Sequence, residues 1–397
     1  MTDNPYINYV DRKLCIGPNR RPIQDVIGKY NGPTYIYDTS IIDLQLKQYQ
    51  DKMPAGFKMH YAMKANANQD VLQFLKSKLV HLDVVSGGEI KIALTSGFQP
   101  EQIIFSGVGK TKSEIEYAAE LAVKQINVES IPELERIVSI AQKLQKDVNV
   151  AVRINPDISV QTHPYISTGL RENKFGLELE AIPKFAEILR KQKFVKWRGV
   201  SVHLGSQIFE INPMRDALRS LIQLSTSYQK EFGLDRIDLG GGIGVDYEKF
   251  DFAKESHFLK LYGEMIREEI SEMRGEFMIE PGRSIVAHCG VLVCEVQYVK
   301  RTKEKVFVIL DSGMNHLLRP ALYSAQHQVF ALEQKGEDEV LCDIVGPICE
   351  SSDVLRTGIS LPGPKAGDLM AICDVGAYGF SMSNRYNQHA LAHEITI

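Results

Sequence analysis

Three residues far apart in the chain carry chemistry if they stand together: a lysine in "HYAMKANAN" (Lys64), a histidine in "VSVHLGSQ" (His203) and a glutamate in "FMIEPGRS" (Glu280). Each follows a short apolar or alternating run, at the point where a strand hands over to a loop. A lysine amine condenses with an aldehyde, an imidazole lies flat against an aromatic ring, and a carboxylate holds a proton on a heterocyclic nitrogen. Taken singly, each has a plainer reading: a solvated charge, a satisfied core histidine, a salt-bridge partner. A fourth feature is the run Gly240, Gly241 and Gly242 in "DLGGGIGVDY". It does not match G-x-G-x-x-G, because Val245 occupies the third required position. It reads either as a tight turn or as backbone stripped of side chains, whose N–H groups converge on a phosphate.

What decides between these readings is where the elements place the residues. From about residue 58 to 286, short β-branched runs alternate with longer segments of helical periodicity, the mark of βα units around a parallel sheet. The strand candidates are "KMHYAMKA", "LDVVS", "IIFSG", "INVES", "VAVRINP", "GVSVHLGSQ", "RIDLGGG" and "FMIEPGRSI". Eight such runs in this length fit a (β/α)8 barrel, although an open doubly wound sheet gives the same alternation. Ser130, ahead of "IPELERI", is a helix N-cap candidate with Pro132 in the first turn. After residue 290 strands follow one another without long helices: a second, all-β domain, to which "INYVDRKLCIG" near the N-terminus can add a strand. The expected domains are residues 1–30 as an N-terminal segment joining the β domain, 31–286 as the barrel, and 287–397 as the β domain.

In a barrel the residues just after each strand share one mouth. Here they include Lys64, Ser86, Ser106, Asn155, His203, Ser206, the three glycines, Glu280, Gly282 and Arg283. Lys64, His203 and Glu280 facing one mouth make the plain readings much weaker. A phosphate site in the loop after the seventh strand, with an imine-forming lysine, points to pyridoxal 5'-phosphate. Lys64 would hold its aldehyde, and Glu280 would keep its ring nitrogen protonated so that the ring drains electrons from the substrate's Cα.

Composition excludes other classes. The 397 residues are 44% hydrophobic and 24% charged with a net charge of −4, which suits neither a nucleic-acid surface nor an unfolded chain. No uncharged run approaches the roughly 18 residues a membrane span needs, and the N-terminus lacks a signal-peptide pattern, so a cytoplasmic protein with a small-molecule substrate is expected. The six cysteines form no C-x-x-C pair, and no metal site is expected.

The motifs "YAMKANAN", "HLGSQI", "DLGGGIGVDY", "EPGRSIVAHCGVL", "LLRPALY", "GPICESSDVL" and "GAYGFSMSNRYN" occur in an order and spacing that resemble the fold-type III pyridoxal-phosphate decarboxylases, over residues 30 to 390. The likeness is strongest to those acting on meso-2,6-diaminopimelate. The resemblance implies an alanine-racemase-like pairing of barrel and β domain, and loss of CO2 from that substrate to give L-lysine, the last step of lysine biosynthesis. By the same resemblance Lys64 carries the cofactor, His203 stacks on its ring and Glu280 meets its nitrogen, while Ser206, Gly240, Gly241, Gly242, Gly282, Arg283 and Tyr378 hold the phosphate end. Arg283 and Arg319, with Tyr323, would grip the carboxylate that is not lost, Glu350 would take an amino group, and Tyr378 would also bind substrate. Cys349 would return a proton to the carbon that lost CO2, from across a homodimer with shared active sites. A buried inert thiol is the plain reading of that cysteine.

Arg385 departs from the usual "SMSSNYN", and residues 162–176 resemble a lid over the site, although they equally suit an ordinary surface connection. Decarboxylases of ornithine, arginine or carrier-tethered amino acids fit less well, because a cationic or uncharged tail has no use for two arginines. A racemase would need a second base on other motifs. A non-catalytic cofactor-binding protein would have no reason to keep Lys64, Cys349, Glu350 and both arginines.

Overall fold

The computed structural model describes residues 4–158, 174–247, 251–271, 275–336 and 338–397. Its contacts divide it into two units, one made of Gln48–Gly244 with Lys254–Gly282, the other of Met1–Lys47, Val245–Ala253 and Arg283–Ile397.

The first unit is a closed barrel of eight parallel strands. In chain order they are Lys58–Ala62, His81–Val84, Ile103–Phe105, Gln125–Val128, Val148–Arg153, Val195–Ser201, Arg236–Asp238 and Glu276–Ile279. The last pairs with the first, Met278 opposite Lys58 and Ile279 opposite Met59, which closes the ring and excludes the open sheet. Each of the eight runs read from sequence overlaps one of these strands. Several of the helices between them start on side-chain caps: Ser86 accepts from Glu89 N, Thr111 from Glu114 N and Ser130 from Glu133 N. Each cap satisfies a backbone donor that the first turn leaves without a partner. On the outside of the sixth strand Trp197 packs against Phe185 and Phe232, with ring centroids 5.0 Å away in both cases.

The second unit is mostly β. Its longest strand, Gly290–Arg301, pairs antiparallel with Leu369–Cys373, Thr34–Tyr37 and Val306–Leu310. The C-terminal strand His393–Thr396 lies parallel to Thr34–Tyr37. The division from the barrel therefore runs after Lys47 and not at residue 31, because the strand "TYIY" finds its hydrogen bonds in this sheet. Ile7–Val10, Lys13–Ile16 and Arg21–Pro22 form a small sheet of their own, tied on by Leu14 N donating to Leu332 O at 2.8 Å. Three strands were not read from sequence: Arg21–Pro22 and "TYIY", too short to stand out, and Val354–Pro362, which follows a segment read for chemistry.

No helix among the described residues is long and apolar enough to cross a membrane. Residues 162–173 of the expected lid lie outside the described residues.

Candidate active site

Lys64 sits in the single 3₁₀ turn Met63–Ala65 that follows the first barrel strand without a break. The loop after the eighth strand is stitched to it: Ala62 N donates to Pro281 O at 3.1 Å, and a Cβ on Gly282 would lie 3.1 Å from those of Ala62 and Ala65. Glu280 is thus fixed at the rim that carries Lys64. Its carboxyl is buried, and Oε1 has no hydrogen-bond partner in the chain. Burial, then the neighbouring Asp238 and Asp83 carboxyls, push the Glu280 acid well above the usual carboxylate range, and the Lys64 ammonium opposes them.

Asp238 ends the seventh strand, and Asp83 is the last but one residue of the second. Burial raises both, Asp238 to about 6. Asp238 Oδ1 accepts from Gly240 N at 2.9 Å, while its Oδ2 and both Asp83 oxygens lack partners. Glu89, in the helix after the second strand, is lifted to about 7 by burial.

His203 follows the sixth strand. Burial, then the charges of Lys64 and Arg153, hold its ring well below the ordinary histidine value, so it is neutral. Its Nδ1 accepts from Gly241 N at 3.2 Å, which places the ring proton on Nε2.

The glycine run is required by close approach. A Cβ on Gly240, at φ 67°, would stand 2.3 Å from Val202 O, one on Gly241 2.2 Å from Glu280 O, and one on Gly242, at φ 115°, 2.6 Å from Gly205 O. Within the chain the amides of Gly240 and Gly241 already serve Asp238 and His203.

Around the fourth and fifth strands, Arg153 pairs with Glu129 at 2.8 Å, and the Glu129 carboxylate also accepts from Gly107 N and Gly176 N. Sequence reading passed over Asp83, Asp238, Glu129 and Arg153. The signal was present: "LDVV" and "RIDL" each hold one carboxylate inside an apolar run, which buries a charge without a local partner.

The second unit holds the other group of expected residues. Arg319 opens the short helix Arg319–Tyr323. Its guanidinium lies 4.2 Å from the centroid of the Tyr247 ring, its Nη1 is 2.8 Å from His327 Nε2, and its Nε has no partner. Arg283 donates from Nη1 to Tyr247 Oη at 2.8 Å and lies 4.7 Å from the centroid of Tyr378. Tyr378 is held at φ 57°, in the left-handed region. Burial lowers Arg319 to about 10, with Arg283 adding to the shift, while Tyr247, Tyr378 and Tyr323 act the other way. Two guanidiniums among tyrosines form a receptor for an anion. Tyr247 and His327 were not singled out from sequence.

Cys349 and Glu350 stand on a compact turn before the strand Val354–Pro362. Asp353 anchors it, accepting from Met314 N at 2.6 Å and Ile348 N at 2.7 Å, and Gly313 and Gly346 are needed because a Cβ on either would come within 2.4 Å of that carboxylate. Cys349 is exposed, and its N–H donates to Asn387 Oδ1 at 3.0 Å. The Glu350 carboxylate accepts from Tyr386 Oη, the residue after Arg385.

The barrel residues suit a pyridoxal phosphate ring. A fully buried acid with an oxygen lacking any partner calls for a cationic N–H donor, and a protonated pyridine nitrogen is one. The neutral His203 ring and the Lys64 amine share that mouth.

Residues 39–287 match the family model described as "Pyridoxal-dependent decarboxylase, pyridoxal binding domain". The chain is 36% identical to a diaminopimelate decarboxylase of Aquifex aeolicus over 99% of this chain and 93% of that one, and 40% identical to that of Pseudomonas aeruginosa over 93% and 88%. Among solved structures, the diaminopimelate decarboxylase of Helicobacter pylori complexed with L-lysine aligns with a TM-score of 0.88 at 38% identity, covering 94% of each chain. That of M. jannaschii, also complexed with L-lysine, aligns at 0.90 and 33%, covering 100% of this chain and 94% of that one. A viral arginine decarboxylase, 20% identical with a TM-score of 0.84, shares the fold.

Proposed function

The chain belongs to the pyridoxal-dependent decarboxylases, and from that membership we propose that it removes CO2 from meso-2,6-diaminopimelate to leave L-lysine. The observation that carries this substrate is the buried pair Arg283 and Arg319, anchored on Tyr247 and set among tyrosines. A substrate with a second carboxylate at its far end satisfies such a pair; one ending in an amine or guanidine is repelled by it. The relatives named for this reaction, and their complexes with L-lysine, support the same reading.

Pyridoxal 5'-phosphate, the family's cofactor, supplies an electron-withdrawing ring that accepts the electron pair left when CO2 departs. Lys64 would hold it through its amine, His203 would cover the ring face and Glu280 would stand at the ring nitrogen. Ser206, Gly240, Gly241, Gly242, Gly282, Arg283 and Tyr378 would hold its phosphate end.

The chain's own residues account for the rest. Burial, with Asp238 and Asp83 beside it, disfavours the ionised form of Glu280, and a cationic N–H donor at its carboxyl would favour it. A carboxylate seated on Arg319 and Arg283 fixes which end of the substrate is retained, with Tyr323 beside it and Glu350 for the far amino group. Cys349 Sγ delivers the proton that takes the place of the lost carboxylate. Because Cys349 is exposed on a turn of its own unit, we take it to act in a partner's site, in a homodimer with shared active sites. The six free thiols suit a reducing, cytoplasmic setting.

The test is CO2 release from a panel of amino acids. Activity on meso-diaminopimelate, with little on lysine, ornithine or arginine, is the expected result. A preference for ornithine or arginine overturns the substrate.

A further inference from the structure

One buried group beside Arg319 is not used by the mechanism. His327 is fully enclosed, with its Nε2 2.8 Å from Arg319 Nη1 and its Nδ1 2.8 Å from the Cys373 carbonyl oxygen. A carbonyl only accepts and a guanidinium only donates, so the two contacts fix the ring without further information. Nδ1 carries the hydrogen and gives it to Cys373 O, while the lone pair on Nε2 receives the Arg319 N–H. A second proton on His327 would set N–H against N–H. The charges that face the ring, those of Arg319, Arg283 and Arg356, all oppose that proton, and burial opposes it more strongly still. The ring also meets Tyr247 edge-on, with centroids 5.0 Å apart. Tyr247 in turn underlies Arg319 and receives Arg283.

We propose that His327 is a positioning residue for carboxylate recognition: by accepting one Arg319 N–H through an uncharged nitrogen, it aims the guanidinium while leaving its full positive charge for the substrate anion. The choice of residue type follows from electrostatics. A carboxylate at this position would hold Arg319 as firmly, but it would cancel the charge that attracts the substrate. An apolar residue would leave the charge intact and a buried N–H without an acceptor, so the guanidinium would swing. The Arg319 Nε that finds no partner within the chain is the donor this arrangement leaves for the ligand. The inference rests on the reading above, in which Arg319 binds the retained carboxylate.

The experiment compares two ligands that differ by that carboxylate, L-lysine and 1,5-diaminopentane, titrated into the cofactor-loaded enzyme. The readout is the ratio of their dissociation constants, with melting temperature and cofactor content recorded for each variant. The wild type should bind L-lysine at least about tenfold more tightly. His327→Asp should bring the ratio close to one, and His327→Leu should lower it severalfold. His327→Gln, whose amide oxygen accepts from Arg319, should restore most of it. In His327→Leu the KM for meso-diaminopimelate should rise while kcat changes little. A wild-type ratio near one overturns the substrate reading and this inference together. A wild-type ratio of ten or more that persists in folded His327→Asp overturns the role of His327 alone, and if that variant does not fold, equal ratios in the Leu and Gln variants do the same.

Discussion

The barrel and the β unit each bury a cluster of like charges, and the two clusters resolve the strain in opposite ways. At the barrel's rim Asp83, Asp238 and Glu280 lie together with several oxygens lacking partners. In the β unit Arg283 and Arg319 lie together among Tyr247, Tyr323 and Tyr378. Carboxyls in such a place take up protons, which is why all three are raised. Guanidiniums cannot shed theirs at any working pH, so the chain surrounds them with ring faces, a phenol oxygen and a neutral imidazole. The difference shows what each cluster awaits. The acids await a cation that makes ionisation favourable, and the arginines await an anion.

The largest test of the first cluster is Lys64→Ala. It should abolish CO2 release and the covalent capture of cofactor by borohydride, read as a mass increment on the reduced protein; turnover at the wild-type rate would remove the barrel mouth as the seat of the chemistry. For the second cluster, Arg319→Ala deletes a charge-assisted partner worth about 1.5–3 kcal/mol, so KM for meso-diaminopimelate should rise roughly 10- to 150-fold. An unchanged KM would mean the arginines serve the fold and not the ligand.

A third test uses the contrast itself. The buried acids have folded pKa values above their unfolded ones, so the stability they contribute is whole below about pH 4 and is lost as pH rises through the folded values, about 6 for Asp238 and well above the usual carboxylate range for Glu280. Protein stripped of cofactor should therefore melt at progressively lower temperature as pH rises from about 4 through 6, and Asp238→Asn should flatten that slope. A flat profile in the unmutated stripped protein would show that the acids are not buried together. The smallest effect serves as a control: Ser130→Ala removes the N-cap bond to Glu133 N, should cost about 1 kcal/mol, and should lower Tm by about 2–4 °C without altering the slope.

The eight barrel strands were legible because each apolar run is bounded by polar or glycine-rich turns, and period and length suffice to mark them. Thr34–Tyr37 fell within the range expected for the barrel because four residues of strand-forming type do not say which sheet will supply their hydrogen bonds. Lys64, His203 and Glu280 were legible as strand-end residues, and the motifs named their company. Asp83, Asp238 and His327 were not singled out, because a lone carboxylate or imidazole carries no mark of what it will face.

The sequence alone therefore determined the succession of elements, the barrel with its β companion, and the presence of residue types able to make an imine, meet a ring nitrogen and grip a carboxylate, since these follow from periodicity and functional-group chemistry. Only the tertiary structure decided that three acids from the second, seventh and eighth strands share one buried place, and that an uncharged histidine holds Arg319. Charge and burial act through distances between residues remote in the chain, and those distances exist only once the barrel has closed and the sheet has paired.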